Sequence, residues 1–395
     1  MKKLTVLVAI LCVTAAAAFA QVDSFTYESD HYVVVSEISA EHAELTAMKL
    51  EAYMNLYNSF FHYDPDELSS KLNVRIFSTK DRFDTHLRRA IGETRDDFVY
   101  LHYNDLSRSE LVGFDKETGF DVSLVHQNFI QFFRAFVPNP PLWLREGFAV
   151  YFERAEYDAE FGTAVLRENL AWLETLKSIM SGEAEVAPLD LEEILTIDVE
   201  TARANIDVFY PMSWGMVSFL INADESDNNR ILWDTLSALE ASASMEENVD
   251  NIQREVLRWV NIDNVREDFF AYVDSTRSFR GLITAGISEY NNENLEQSEQ
   301  HFVTALNLRE DNYIPYYYLG LINYDQGNFQ LAEYYYNQAI SRGADEALAS
   351  YALGVNAFAD SRYDEAASFL QRAIELNPER YQDRAQELLT RIQDA

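Results

Sequence analysis

Residues 121–153 hold the side chains of this 395-residue chain that are best suited to chemistry. The segment reads DVSLVHQNFIQFFRAFVPNPPLWLREGFAVYFE, in which His126 and Glu146 stand among apolar and aromatic residues. Imidazole and carboxylate groups are the ones that proteins use to bind metal ions and to transfer protons. The two residues therefore mark a candidate metal or acid–base site.

Two helices must position these side chains. Residues 122–135 are apolar around nearly the whole helical circumference, which predicts a buried helix. Pro138, Pro140 and Pro141 end it, because proline lacks the amide that a helix interior needs. A second apolar helix is predicted from Leu142 to Glu153. The candidate site would lie where these two helices pack together.

The second helix carries a recognisable motif, W-L-x-E-G-x-A-x-Y. It resembles the gluzincin metallopeptidases, in particular their peptidase-MA-like branch, in which an H-E-x-x-H helix precedes this one. The resemblance rests on Trp143, Leu144, Glu146, Gly147, Ala149 and Tyr151. It implies an α+β, zincin-like domain with a mostly helical second half, here residues 21–276, in which the last strand edges the substrate cleft.

The first helix departs from the family pattern, since it reads His126-Gln127-Asn128-Phe129-Ile130. Carried over position by position, His126 and Glu146 match two metal ligands, Gln127 replaces the general base, and Ile130 replaces the second histidine ligand. A catalytic zinc site needs three protein ligands, and a neutral amide cannot take a proton from bound water.

These two losses predict an inactive metallopeptidase-like domain with no bound cofactor. One alternative is an active zinc metallopeptidase with a non-standard site that uses His126 and Glu146. The other is structural: His126 as a hydrogen-bonded core histidine and Glu146 as a buried, paired carboxylate.

The chain starts with a predicted secretion signal. Residues 1–20 combine Lys2 and Lys3 with an apolar run and an A-x-A cleavage site, Ala18-Phe19-Ala20. We expect secretion through the Sec pathway to the periplasm, with an extracellular location as the alternative. The one cysteine, Cys12, lies inside this signal, so we expect no disulfide; lipid attachment there is the lesser alternative.

The composition is strongly acidic but typical of a folded protein. The formal net charge is -35 at pH 7, with 48% hydrophobic and 13% aromatic residues. Such a charge repels phosphate backbones and anionic membranes, so we predict no nucleic-acid partner. The signal run is too short to span a bilayer, so we predict no membrane span. The length indicates two or three domains.

Hydrophobic periodicity predicts the remaining elements. In the first part we expect a hairpin within 25–38, helices over 40–61 and 81–91, and strands over 74–77, 98–103 and 111–114. After Glu153 we expect helices over 160–180, 187–195, 208–221, 231–239, 249–260 and 265–273, with a polar loop over 222–229.

The end of the chain repeats every 34 residues. Gly286, Gly320 and Gly354 are spaced at this interval, as are Ala305, Ala339 and Ala373. The pattern resembles the tetratricopeptide repeat, in which small residues let two antiparallel helices pack closely. We therefore predict an all-α repeat solenoid over residues 278–395: three repeats from 278 to 380 and a capping helix to about Ile392.

The resemblance also implies a concave groove on the first helix of each repeat. Its positions fall on Ile283, Ile287, Tyr290, Tyr317, Leu321, Tyr324, Tyr351, Val355 and Phe358. This groove predicts a protein or peptide partner. It lacks the Lys and Arg side chains that hold an acidic carboxyl terminus, which disfavours such tails. Two alternatives are that the tyrosines only pack between repeats, and that the repeats serve oligomerisation; the oligomeric state stays open.

Overall fold

A computed structural model describes residues 23–167, 169–223 and 226–394. The predicted signal at residues 1–20 lies outside this range. The described chain forms two compact units. The first comprises residues 23–140, Phe148–Leu166 and Leu239–Asn248, and the second comprises Pro141–Gly147 and the rest of the chain. None of the helices in the described ranges is long and apolar enough to cross a membrane.

The first unit contains a five-stranded sheet of order β1-β2-β3-β5-β4. The central strands β2, β3 and β5 are parallel, whereas the edge strands β1 and β4 are antiparallel to their neighbours. The strands are β1 (Phe25–Glu28), β2 (Tyr32–Ser36), β3 (Leu72–Phe77), β4 (Val99–Leu101) and β5 (Glu110–Phe114). The predicted hairpin and strands are confirmed. The chain turns back after β4, so β5 inserts between β3 and β4.

Helices α1 (Ala40–Phe61), α2 (Lys80–Ile91) and α3 (Phe120–Phe136) cover this sheet, and α4 (Leu142–Phe152) is shared between the two units. All four confirm predicted helices. The Ser39 hydroxyl caps the start of α1, because it accepts a hydrogen bond from the His42 amide. An aromatic core joins α1 to α3. Its centre is Tyr57, whose ring lies 5.2 Å from that of Phe129 and whose hydroxyl donates to the Val125 carbonyl.

The predicted helix over 160–180 is wrong in its first half. A hairpin of β6 (Glu156–Asp158) and β7 (Thr163–Val165) comes first, and α5 starts at Leu173 and ends at Ser181. The Asp158 carboxylate accepts hydrogen bonds from the amides of Glu160 and Phe161, and Gly162 adopts a φ of +64°. These bonds favour a turn over a helix, and the left-handed residue closes it.

Helices dominate the second unit before the repeats. They are α5 (Leu173–Ser181), α6 (Leu191–Thr196), α7 (Val199–Ala204), α8 (Ile206–Asn222), α9 (Ser226–Ser237), the shared α10 (Met245–Glu255) and α11 (Ile262–Ser275). The predicted loop over 222–229 is too long, since α9 already begins at Ser226. The side-chain amide of Asn229 donates to the carbonyls of Leu220 and Ile221. This polar residue lies within α9 and caps the end of α8.

Seven further helices form the repeat region. They are α12 (Phe279–Asn291), α13 (Leu295–Leu308), α14 (Tyr313–Asp325), α15 (Phe329–Ser341), α16 (Glu346–Ala359), α17 (Tyr363–Leu376) and α18 (Pro378–Gln393). The glycine of each first helix faces a large residue 16 positions later: Gly286 on Phe302, Gly320 on Tyr336 and Gly354 on Leu370. A Cβ on any of these glycines would lie under 3 Å from that side chain. The predicted close packing is confirmed.

The repeats continue directly from the preceding helices of the second unit. Lys177 on α5 donates a 2.6 Å hydrogen bond to the carbonyl of Thr276, and Ser278 donates to Glu174 at 3.1 Å. Ser278 also caps α12, because its hydroxyl accepts from the Gly281 amide. The junction between α11 and α12 is therefore tied to α5.

Candidate functional site

In the first unit, His126 pairs with a carboxylate that the sequence did not single out. Nδ1 of His126 lies 3.1 Å from Oε2 of Glu153, and the two side chains are 16% and 17% exposed. Glu153 directly follows α4, two helical turns after Glu146. This helical spacing was the available signal for it. The pair forms a half-buried imidazole–carboxylate contact between α3 and the end of α4.

The pair opens onto a small cavity of about 290 Å³. Its lining residues are Asp97, Phe98, Val122, Ser123, His126, Gln127 and Glu153. Lys116 donates to both Asp97 and Ser123, and Ser123 donates to Asp97 at 2.8 Å. Burial alone would raise the pKa of Asp97, but the hydrogen bonds from Lys116, the Phe98 amide and Ser123 together lower it. Asp97 is therefore a stable anion at the rim of this cavity.

Gln127, which the resemblance to gluzincins aligns with their general base, accepts a hydrogen bond from the sheet. Its Oε1 accepts a 3.0 Å hydrogen bond from the amide of Tyr100 on the edge strand β4. Ile130, at the position of the second histidine ligand, is 8% exposed in the core of the first unit. These two positions thus hold an amide bound to the sheet and a packed alkyl side chain.

Glu146 belongs to the second unit. Its Oε1 accepts from Nε of Arg145 at 2.8 Å, and its side chain is buried. The neighbouring Gly147 packs against the main chain of Ser213, where a Cβ would lie 2.4 Å from the carbonyl oxygen. In the E-G pair of the motif, the charge of Glu146 is thus compensated by Arg145, and Gly147 permits close helix packing.

These donors do not fit a zinc ion. Among the described residues, no group of three His, Cys, Asp or Glu side chains is arranged to hold a metal. Position 127 offers a neutral amide and position 130 no donor atom, whereas a catalytic zinc needs three protein ligands.

The nine groove positions form three rows across α12, α14 and α16. The rows are Ile283, Tyr317 and Tyr351; Ile287, Leu321 and Val355; and Tyr290, Tyr324 and Phe358. Eight of the nine side chains are half-buried, and Ile283 is buried in the core of the first repeat with Leu282 and Phe302. The rows place an apolar and aromatic surface along the first helices of the repeats.

The capping helix α18 contacts two of these positions. The ring of Tyr381 stacks on Tyr351 at 5.0 Å, and the guanidinium of Arg391 lies 5.2 Å from the ring centre of Phe358. Tyr317 packs on Tyr336 and next to Ala352 and Leu353. Burial, and then the nearby Tyr381, raise the pKa of Tyr317 to about 12. Tyr317 therefore stays a neutral hydrogen-bonding group at physiological pH.

One acidic residue beside the groove was missed from the sequence. Tyr290 on α12 donates a 2.7 Å hydrogen bond to Oδ2 of Asp325, the last residue of α14. Burial raises the pKa of Tyr290 most, followed by the bond to Asp325 and the charge of that residue. The sequence signal available for Asp325 was that it directly follows the groove position Tyr324, while the groove positions themselves are uncharged.

Tyrosines of the second helix α15 behave differently from one another. Tyr334, Tyr335 and Tyr336 follow one another on this helix. Tyr336 is fully buried, whereas Tyr334 is 54% exposed. Three consecutive helical residues point about 100° apart, so they cannot all face the same neighbouring helix.

The comparison with family models identifies the repeat region. The tetratricopeptide repeat model matches residues 283–347 and 335–381. These residues therefore contain tetratricopeptide repeats, as the 34-residue period predicts. No curated protein matches the chain.

Several solved structures are similar to part of this chain. The Arabidopsis OM64 TPR domain is 20% identical, with a TM-score of 0.28, covering 29% of this chain and 94% of its own. The first TPR of Spaghetti (RPAP3), bound to the HSP90 peptide SRMEEVD, is 18% identical, with a TM-score of 0.28 and coverages of 29% and 90%. MamA from Desulfovibrio magneticus RS-1 is 16% identical, with a TM-score of 0.26 and coverages of 44% and 96%.

Proposed function

We propose that this chain is a binding or scaffold protein whose repeats hold an extended segment of a partner protein. The observation that carries the proposal is the groove itself. Its three rows are apolar or aromatic, and eight of the nine positions are half-buried on the first helices. Tyrosine offers a large apolar face and a hydroxyl, which suits it to peptide recognition.

The region before the repeats is proposed to be a metallopeptidase-like domain that has lost catalysis. The W-L-x-E-G-x-A-x-Y motif supports the relationship, and the replacements at Gln127 and Ile130 support the loss. Gln127 accepts the Tyr100 amide and Ile130 fills the core, so each now has a packing or hydrogen-bonding role. The sequence of residues 1–20 supports secretion, with the periplasm as the proposed location.

A peptide-display selection on the full chain tests the binding proposal. A library of randomised nonapeptides would be selected on the immobilised protein, and enriched peptides would be measured by fluorescence anisotropy. The variant Tyr317→Ala/Tyr324→Ala should bind them at least about tenfold more weakly, as expected when two anchoring aromatic side chains are removed.

Tyr334→Ala is the matched control, because it removes the same side chain from an exposed position of α15 outside the groove. We expect it to leave peptide binding unchanged. Circular dichroism of all variants checks that the repeats remain folded. If no peptide is enriched, or if the control weakens binding as much as the groove variant does, the proposal is wrong.

A further inference from the structure

A carboxylate borders the groove between the first and second repeats. The nine groove positions carry no charged side chain, and Asp325 stands directly after Tyr324 at the end of α14. Asp325 is exposed, and within the described residues it forms no ion pair with a basic side chain. The carboxylate thus lies beside groove positions whose own side chains are all uncharged.

Tyr290 fixes the orientation of this carboxylate. Its hydroxyl donates to Oδ2 at 2.7 Å from the neighbouring first helix, and its ring makes an edge contact with Tyr318 at 5.7 Å. The Tyr290 hydroxyl is a neutral donor that occupies one carboxylate oxygen of Asp325. The negative charge of Asp325 therefore remains uncompensated. A carboxylate held in this way is preorganised for a cationic donor, because part of the ordering entropy is already lost.

Basic side chains of α18 lie close to groove positions of the second and third repeats. Arg391 lies 5.2 Å from the ring centre of Phe358, and the nearby charge of Arg380 offsets part of the rise in the pKa of Tyr317. The carboxylate of Asp325 is bonded instead to Tyr290 of the first repeat, so a complementary ligand places its cation there.

We propose that the groove selects an extended peptide that contains a Lys or Arg within an apolar and aromatic stretch, with the cation paired to Asp325. Tyr290 is the positioning residue for that carboxylate. This inference rests on the proposed binding function and adds the chemistry of the partner to it.

The test is a selection of the same nonapeptide library on three forms of the full chain. The wild-type protein should enrich Lys or Arg at one position of the selected peptides, and Asp325→Asn should lose this enrichment. Glu296→Gln removes the same charge from the exposed first turn of α13 and should keep it. This control separates a contact in the groove from attraction by the net charge of -35.

Affinities of the enriched peptides give the second readout. Changing the selected Lys to Gln should weaken binding to the wild type about three- to tenfold, as for a partly exposed charge pair, and should hardly change binding to Asp325→Asn. Tyr290→Phe keeps the ring but removes the hydroxyl, so it should reduce the Lys preference without abolishing peptide binding.

Two outcomes separate the inference from the function on which it rests. Peptides that depend on Tyr317 and Tyr324 but show no Lys or Arg preference, or a preference that survives Asp325→Asn, would overturn the inference and leave the binding function intact. Failure to select any peptide that depends on the two tyrosines would overturn both.

Discussion

Gly320 and the ring of Tyr336 are in such close contact that a Cβ on Gly320 would lie 2.4 Å from a ring carbon. Both residues are buried at the centre of the second repeat. The ring belongs to a fully buried side chain, so it has little room to move away. This contact sets how closely α14 and α15 approach each other.

Replacing Gly320 with Ala should therefore destabilise the repeat region by about 1–3 kcal/mol, the usual cost of overpacking a core. Urea unfolding followed by circular dichroism measures it. Gly281→Ala in the first turn of α12 is the control, because its Cβ would lie 3.3 Å from the Ser278 hydroxyl and 3.9 Å from the Arg277 side chain, with no contact under 3 Å. Alanine has the higher helix propensity, so this control should be neutral or stabilising. Equal unfolding midpoints for the two variants would contradict the packing argument.

Gln127 should stabilise the edge strand β4 through its hydrogen bond to the Tyr100 amide. Gln127→Ala removes the acceptor, and we expect a loss of about 1 kcal/mol together with faster hydrogen exchange at the Tyr100 amide. Gln127→Glu retains a side-chain acceptor and should protect that amide more than alanine does. If exchange at Tyr100 were the same in all three proteins, the contact would have no energetic role.

Glu37 should give the first unit a pH-dependent stability. Burial alone would raise the pKa of Glu37, but hydrogen bonds from Arg82 and Ser78, and the charge of Arg82, lower it below the usual value. A carboxylate with a lowered pKa stabilises the fold above its unfolded pKa and loses this contribution as the pH falls through the folded one.

Glu37→Gln should therefore destabilise the protein by about 1–2 kcal/mol at neutral pH, and the difference from the wild type should shrink below about pH 4.5. Urea unfolding between pH 3 and 7 measures it. Glu44→Gln on the exposed face of α1 is the control and should show little effect at any pH. A difference for Glu37→Gln that stays constant across the pH range would exclude the ionised pair as its source.

Zinc content tests the proposed loss of catalysis. Protein purified without chelator should contain far less than one zinc per chain by elemental mass spectrometry, because a stable site needs more ligands than His126 offers here. The variant Gln127→Glu/Ile130→His restores the family's motif, yet we expect no peptide hydrolysis, because His126 is paired with Glu153. A stoichiometric zinc content in the wild type, or robust hydrolysis by the variant, would reopen the catalytic hypothesis.

Local patterns in the sequence were sufficient for elements that depend on local interactions. The helix Ala40–Phe61 follows from its apolar spacing and the Ser39 cap, and the repeats follow from the 34-residue period. The helix predicted over 160–180 failed at Asp158, whose carboxylate binds the amides of a turn. Hydrophobic periodicity shows where apolar residues lie. It does not show that a short polar side chain, such as that of Asp158, binds backbone amides that a helix would otherwise use.

The candidate sites show the same limit at longer range. The contact of His126 with Glu153 joins residues 27 positions apart, and that of Tyr290 with Asp325 joins residues 35 positions apart. Glu153 and Asp325 are acidic residues of the kind that is common on protein surfaces, so neither stands out in the sequence by its residue type. Their roles arise from tertiary packing, which sets which helix ends meet, so spacing could mark Glu153 and Asp325 as candidates but could not show which side chain each of them contacts.

The bonds at the junction between α11 and α12 have a mechanical consequence. Lys177 donates a hydrogen bond to the carbonyl of Thr276, and Ser278 donates one to Glu174. Helix α5 is therefore bonded to residues on both sides of the point where the repeats begin. A flexible linker at this junction would let the repeats reorient, and a pulling force would first extend the linker. With these bonds in place, tension on a segment held in the groove would be transmitted to α5 through the backbone at Thr276 and the side chain of Ser278.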